Sequence, residues 1–156
     1  MRAELAARRT VLGLIALLAV AALLGAFGQR PVESTAAAAA ADLEVSAPTR
    51  LRGGLFFQGR FTVDARQALA DATLVLAPGW LESMSVNTIE PSPVEEASRD
   101  GDLRLSFGPL AEDERLVVYM QFQVNPTNVG RRDASASLYD GETLIAADDR
   151  TLVVFP

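Results

Sequence analysis

The chain reads as an all-β protein: an Ig-like antiparallel β-sandwich preceded by one N-terminal transmembrane helix. Three observations lead there. Thr10 to Gly28 (TVLGLIALLAVAALLGAFG) is an uncharged apolar run of 19 residues. From Asp42 onward the hydrophobic period is two, with turn residues every ~8–12 positions, the pattern of two packed antiparallel sheets. No cysteine is present, so no disulfide holds the outer part together and its core must suffice. The missing cysteines exclude an antibody-type domain but not the wider Ig-like architecture.

The apolar run comes first. At ~1.5 Å per residue it is roughly 28 Å long, which matches the ~30 Å hydrocarbon core of a bilayer. A lone segment in lipid must pair every backbone group internally, so it is a helix. Arg2, Arg8 and Arg9 precede it against a single Glu4. That excess predicts residues 1–9 in the cytoplasm and the C-terminal bulk outside. The alternative is a cleaved secretory signal, leaving a secreted domain. Ala26-Phe27-Gly28 and Ala39-Ala40-Ala41 both have small residues suited to cleavage. The run exceeds the ~7–15 residues of a signal's apolar region, which favours a retained anchor. The Ala21–Gly25 and Ala22–Ala26 spacings would let a second helix approach closely, although an Ala-rich segment produces them by chance.

Residues 29–41 (ending VESTAAAAAA) carry no amphipathic pattern and read as a linker. The domain is then 42–156. Leu43, Val45 and Ala47 alternate with polar residues up to Pro48, a first strand. Arg50 to Gly54 is a connection. In Leu55 to Val63, Leu55, Phe57, Phe61 and Val63 face inward, and Gly59 falls on the inward register, marking close packing or a bulge. Asp64 to Ala70 reads as one helical turn between sheets. Thr73 to Ala77 is a strand stopped by Pro78-Gly79. Trp80 to Ile89 is strand-like, and Glu90-Pro91-Ser92-Pro93 then imposes extended backbone. Val94 to Phe107 is a hairpin turning at Asp100-Gly101. Arg115 to Val124 is the strongest strand, with Leu116, Val118, Met120, Phe122 and Val124 on one face, and belongs in a central position. Asn125 to Asp133 reads as a loop. Ala134 to Tyr139 and Thr143 to Ala147 form a second hairpin about Asp140-Gly141, and Arg150 to Phe155 is the last strand. The total is eight or nine strands.

What is missing narrows the chemistry. There is no His, Cys or Lys; all 14 basic residues are Arg. Ser-His, Cys-His and Ser-Lys nucleophile pairs are excluded, as is a typical zinc site. Acidic pairs remain at Glu95-Glu96, Glu112-Asp113-Glu114 and Asp148-Asp149. All lie in or beside turn-like segments, where carboxylates are solvated and lack the convergence that shifts a pKa. Asp100-Gly-Asp102 and Asp140-Gly-Glu142 are hairpin turns before they are calcium ligands, and neither has EF-hand spacing. No enzymatic role and no cofactor is expected. From Asp42 onward 18 acidic residues oppose 10 basic ones, a net charge of −8. This argues against nucleic acid, and against an anionic membrane surface, as direct partners of the domain.

Two segments stand out as candidate partner contacts. One holds Trp80, Asn87 and Glu90, a lone Trp beside a turn followed by a Pro-punctuated edge. Its plain alternative is that Trp80 caps the core and the prolines block edge pairing. The other holds Gln123, Asn125, Arg131 and Arg132, amides and paired arginines suited to an acidic loop or carboxylate. Its plain alternative is a turn whose Asn and Thr satisfy backbone groups.

Phe27 to Pro31 at the membrane exit, Arg50 to Gln58, Pro78-Gly79-Trp80, Asn87 to Pro91, Gln121 to Arg132 and the closing Arg150 to Pro156 together give the chain a familiar cast. It resembles uncharacterised single-pass membrane proteins of actinobacterial type, over nearly its whole length and without a catalytic motif. The resemblance implies membrane anchoring and an extracytoplasmic β domain. The function expected is a membrane-anchored, non-enzymatic protein-interaction or scaffolding module whose partners are the bilayer, through residues 10–28, and a protein at the outer surface. The alternatives are an accessory subunit of a membrane complex and a carbohydrate- or calcium-binding module.

Overall fold

The computed structural model describes residues 2–23 and 29–156. It is an antiparallel β-sandwich preceded by one apolar helix. The helix α1 spans Arg2–Leu23, and within it Ala6–Leu23 is long and apolar enough to cross a membrane and is buried against nothing in the protein. Residues 24–28, which complete the expected span, and the joint between Gly28 and Gln29 lie outside the described residues.

Thirteen strands follow. β1 (Pro31–Ala37), β2 (Ala41–Pro48), β4 (Phe56–Ala65), β9 (Arg115–Val124) and β6 (Met84–Glu90) form one five-stranded sheet in that spatial order. β12 (Thr143–Asp148), β11 (Ala136–Asp140), β5 (Ala72–Leu76), β8 (Asp102–Ser106) and β7 (Glu95–Arg99) form the second. A small third sheet joins β10 (Gly130–Asp133), β13 (Thr151–Phe155) and β3 (Arg50–Arg52). The β13–β3 contact is parallel, while every other strand pair is antiparallel.

The alternation read from sequence sorts the side chains correctly on the strong strands. Val118, Met120, Phe122 and Val124 of β9 are buried, and so are Phe57, Phe61 and Val63 of β4. β9 is paired on both sides, by β4 and β6. Gly59 is a site of close packing: a Cβ there would lie 3.1 Å from the Phe61 ring and 3.3 Å from the Phe122 ring.

Five expectations are corrected. The linker at 29–41 is mostly strand: β1 pairs with β2 from Pro31–Pro48 to Ala37–Asp42, so the domain begins at Pro31. An alanine strand has no hydrophobic alternation to read, and pairing alone defines it. Asp64 to Ala70 forms no helix; β4 runs on to Ala65 and Leu69 bridges to Leu110. The Arg50–Gly54 connection and the Asn125–Asp133 loop each contain a short strand of the third sheet. Leu55 is exposed rather than inward, because β4 begins one residue later.

Two interactions close the sandwich. The first is aromatic. After β5 a short 3-10 turn (Pro78–Trp80) drops Trp80 into the core at 2% exposure. Its ring packs on Phe61 edge-on at 5.3 Å and lies 5.2 Å from Phe122. Its Nε1 donates to the carbonyls of Ala134 (2.8 Å) and Ser135 (3.2 Å). Gly79 is what allows this turn, since a Cβ there would run into the Asp133 backbone.

The second is ionic. Arg150, 8% exposed, donates from Nη1 to Val45 O (2.7 Å) and Ser34 Oγ (3.0 Å), and from Nη2 to Ala47 O (2.7 Å) and Val32 O (2.9 Å). Asp148, equally buried, lies 4.0 Å from Arg150 Nε and accepts from Ser34 Oγ at 2.7 Å. Burial holds the Arg150 guanidinium below its ordinary pKa, with the Asp148 charge pulling the other way. Arginine does not deprotonate in proteins, so the contact stays ionic at any pH where the fold survives.

Arg150→Met should cost about 3–5 kcal/mol, the loss typical of breaking a buried pair. Arg150→Lys, which keeps the charge but cannot fork across two strands, should cost about 1–3 kcal/mol. Denaturant unfolding followed by Trp80 fluorescence measures both, and equal losses would count against the fork. Trp80→Ala, followed by circular dichroism, should cost about 3–5 kcal/mol.

Candidate interaction face

The outward side chains of the first five-stranded sheet form rows fixed by strand register. Phe56, Gln123 and Ser85 make one row, and Gln58, Gln121 and Thr88 the next. Arg60, Tyr119 and Glu90 make the third, which continues to Ser46 and Glu33. Phe56 is 54% and Tyr119 42% exposed, and the glutamines between them are exposed as well. The face is uncharged at its centre and aromatic at two points. Tyr and Phe are enriched at protein interfaces, and charged residues are depleted at interface cores.

Two clefts open on this face. One, of about 320 Å³, is lined by Gln29, Pro31, Pro48, Gln58, Arg60 and Tyr119, among others. Two of its lining residues, Gln29 and Arg60, each carry a nitrogen, Nε2 and Nε, that is buried without a hydrogen-bond partner. Arg60 Nη2 donates to Glu44 (2.8 Å) and Glu33 (3.1 Å). Buried polar groups ordinarily have a partner, so these two donors mark the wall of this cleft as polar ground left unsatisfied among the described residues. The other cleft, of about 330 Å³, lies at the end of β9 between Ser83–Ser85 and Gln123–Pro126.

The residues named from sequence divide four ways. Gln123, Asn87 and Glu90 are exposed on this face, with Asn87 at a register shift between Val86 and Thr88. Trp80 is not on it; the ring is core, as the capping alternative had it. Asn125 and Arg132 are exposed or half-buried, but both are used by the turn. Asn125 Oδ1 accepts from Thr127 N (3.1 Å) and Oγ1 (3.0 Å). Arg132 pairs with Glu82 at 3.2 Å and donates to Asn128 Oδ1 at 3.2 Å. Buried Asn128 in turn donates to Glu82 O at 3.2 Å. Arg131 is exposed on the third sheet, opposite Val153.

Sequence reasoning puts Tyr119 and Gln121 on the face of β9 opposite the apolar one, with Gln121 opening the second candidate segment, but does not name either as a contact residue. The signal was present, since both alternate against the buried face of β9. It also left Arg150 as an ordinary strand residue and Asp148 as a solvated acid, because only folding shows them buried together.

The acidic pairs do not converge. Glu95, Glu96 and Glu112 to Glu114 are exposed. Asp140 is taken up by the Asp71 backbone N–H at 2.8 Å, and Asp71 accepts from the hydroxyls of Ser106 and Thr73. Among the described residues no three His, Cys, Asp or Glu side chains are grouped to hold a metal ion. With Trp80 inside, a carbohydrate platform would be left with Tyr119 and Phe56 on this face.

No family model matches the chain, and no curated protein matches it. Among solved structures it is similar to the CARDB domain of a Pyrococcus furiosus protein, solved in complex with di-metal ions. The TM-score is 0.45 at 11% identity, over 81% of this chain and 90% of that one. It is also similar to a non-cellulosomal cohesin of Archaeoglobus fulgidus, with TM-score 0.43 and 12% identity over 81% of this chain and 92% of that one. A third similarity is to CaCohA2 of Clostridium acetobutylicum, with TM-score 0.45 and 14% identity over 72% and 88%.

Gln123→Ala and Asn87→Ala should leave stability within about 0.5 kcal/mol of the parent, as surface changes do. Asn128→Ala should cost about 1–3 kcal/mol, because it removes a buried amide that bonds the Glu82 carbonyl and part of Arg132. Thermal unfolding of the three variants side by side checks this division between free face and built turn.

Proposed function

We propose that this chain is a membrane-anchored, extracytoplasmic, non-enzymatic module that binds a protein partner through the outer face of its first sheet. The observation that carries the reading is the cleft beside Tyr119. There an exposed aromatic ring adjoins two buried, unpartnered donors, Gln29 Nε2 and Arg60 Nε. The uncharged amides of Gln58, Gln121 and Gln123 extend the face with adaptable hydrogen-bonding groups. The helix supports the anchoring. It is buried against nothing in the protein, and an apolar helix without protein cover is at home in lipid.

The second reading, an accessory subunit of a membrane complex, is favoured by one particular observation. Gln29 lines the cleft, one residue past the expected membrane span. A partner seated there would lie beside the residue at which the chain leaves the apolar run.

A photo-crosslinking residue at position 119 in intact cells should capture a discrete partner, while one at exposed Leu144 on the other sheet should not. Tyr119→Ala combined with Gln121→Ala should reduce capture from a neighbouring position about tenfold or more, the loss expected of a central aromatic contact. Replacing residues 10–28 with an unrelated anchor separates the two readings. Capture survives for a pure ectodomain binder and is lost for a subunit that docks through its helix.

A further inference from the structure

The domain is acidic as a whole, yet the end where the chain enters it is not. β1 starts at Pro31 opposite Pro48, and β3 follows two residues later at Arg50. Arg50 lies beside Val153 and Arg52 beside Phe155, while Arg131 flanks Val153 from the other side. All three arginines are exposed. So are Leu55 (42%), Val129 (50%) and Phe155 (47%). Arg30, also exposed, stands immediately before β1. Among the described residues no ion pair engages Arg30, Arg50 or Arg131, and Arg52 uses its Nε on Pro156 O at 3.3 Å. Two carboxylates lie on the Arg131 side of this sheet: Asp133, opposite Thr151 and accepting from Ser135 N and Oγ, and Asp149, which lines one cleft with Arg131 and Asp133. Glu112 to Glu114 precede the start of β9, at the opposite end of the first sheet from Phe56 and Gln123.

The tether is short. The apolar run of the sequence closes at Gly28 and β1 opens at Pro31, so only Gln29 and Arg30 separate them in the chain. On the anchor reading, this is the end of the domain nearest the surface through which the helix passes.

We propose that the tip formed by Arg50, Arg52 and Arg131 with Leu55, Val129 and Phe155 rests on the anionic lipid headgroups of the bilayer that holds the helix. This rests on the anchor reading above. Guanidinium groups match phosphate oxygens in a two-pronged geometry. The apolar side chains between them enter the boundary between headgroups and acyl chains, as the apolar faces of interfacial segments do. Charges more than ~10 Å from the tip across solvent are screened, so the distant acidic turns weigh little against the contact, while Asp133 and Asp149 beside Arg131 offset part of its attraction.

Absence of cysteine makes the test clean, since an introduced thiol is unique. The full chain carrying Val129→Cys or Glu112→Cys is labelled with a fluorophore. It is then placed in nanodiscs of phosphatidylcholine alone or mixed with phosphatidylglycerol, both containing headgroup-spin-labelled lipid as quencher. Position 129 should be quenched well above position 112, and the excess should grow with phosphatidylglycerol and shrink as salt rises. Each Arg→Gln change at 50, 52 or 131 should lower the docked-to-undocked ratio about fivefold, with Trp80 fluorescence confirming the fold. Equal quenching at 129 and 112, or no response to anionic lipid, overturns the tip contact and leaves the anchor standing. So does quenching that depends on two chains sharing a disc or on an added acidic protein. A chain that alkaline carbonate strips from native membranes overturns the anchor reading and this contact with it.

Discussion

Arg150 ties together parts of the chain that are more than a hundred residues apart. Its guanidinium lies where β12 hands over to β13, and it reaches the carbonyls of β1 and β2 on the opposite sheet. Taking that cation out of water costs several kcal/mol unless its donors are satisfied. Here four short hydrogen bonds and one carboxylate satisfy them. The consequence is registry. β1 must lie where Val32 and Ser34 meet the guanidinium, so an alanine-rich edge with little side chain to bury is held in one place.

The aromatic cluster does a different job. Trp80, Phe57, Phe61 and Phe122 fill the end of the sandwich where the strands lead toward the entry of the chain. Phe57 and Phe122 stack at 4.9 Å, and Gly59 leaves room for the rings beside it. Because this large apolar mass is inside, the outer face of the same strands is free to present Tyr119 and the glutamines. Core and candidate face are thus two sides of β4 and β9, separated by the period-two alternation of the strand itself.

Much of the architecture was legible in the chain. Strong alternation in β4 and β9 gave the buried face residue by residue, and Asp-Gly pairs marked the two hairpins. Legibility failed where the signal is not carried by side chains. β1 has almost no pattern, β3 and β10 are too short to show one, and the Asp64–Ala70 stretch has helix-forming residues that the tertiary bridge from Leu69 to Leu110 overrides. The candidate face was half legible. Gln123, Asn87 and Glu90 were found because they sit beside turns and prolines. Tyr119 lies on the outward side of the β9 alternation, and period two tells which side a residue faces but not which outward residue sits in a cleft.

The sequence by itself determined the apolar helix, the all-β class, the exclusion of His-, Cys- and Lys-based chemistry, and a domain net charge of −8 from Asp42 onward. Each is a local pattern or a sum, and neither depends on how the chain folds back on itself. Only the tertiary structure decided that residues 31–37 belong to the sandwich, that Arg150 and Asp148 are buried partners, and that Trp80 is core. It alone gathered Arg50, Arg52 and Arg131 into one small sheet, with Asp133 and Asp149 beside Arg131. The physical reason is common to all four: strand pairing, ion pairing and charge segregation are relations between residues distant in the chain, and composition fixes how many charges there are but not which of them become neighbours.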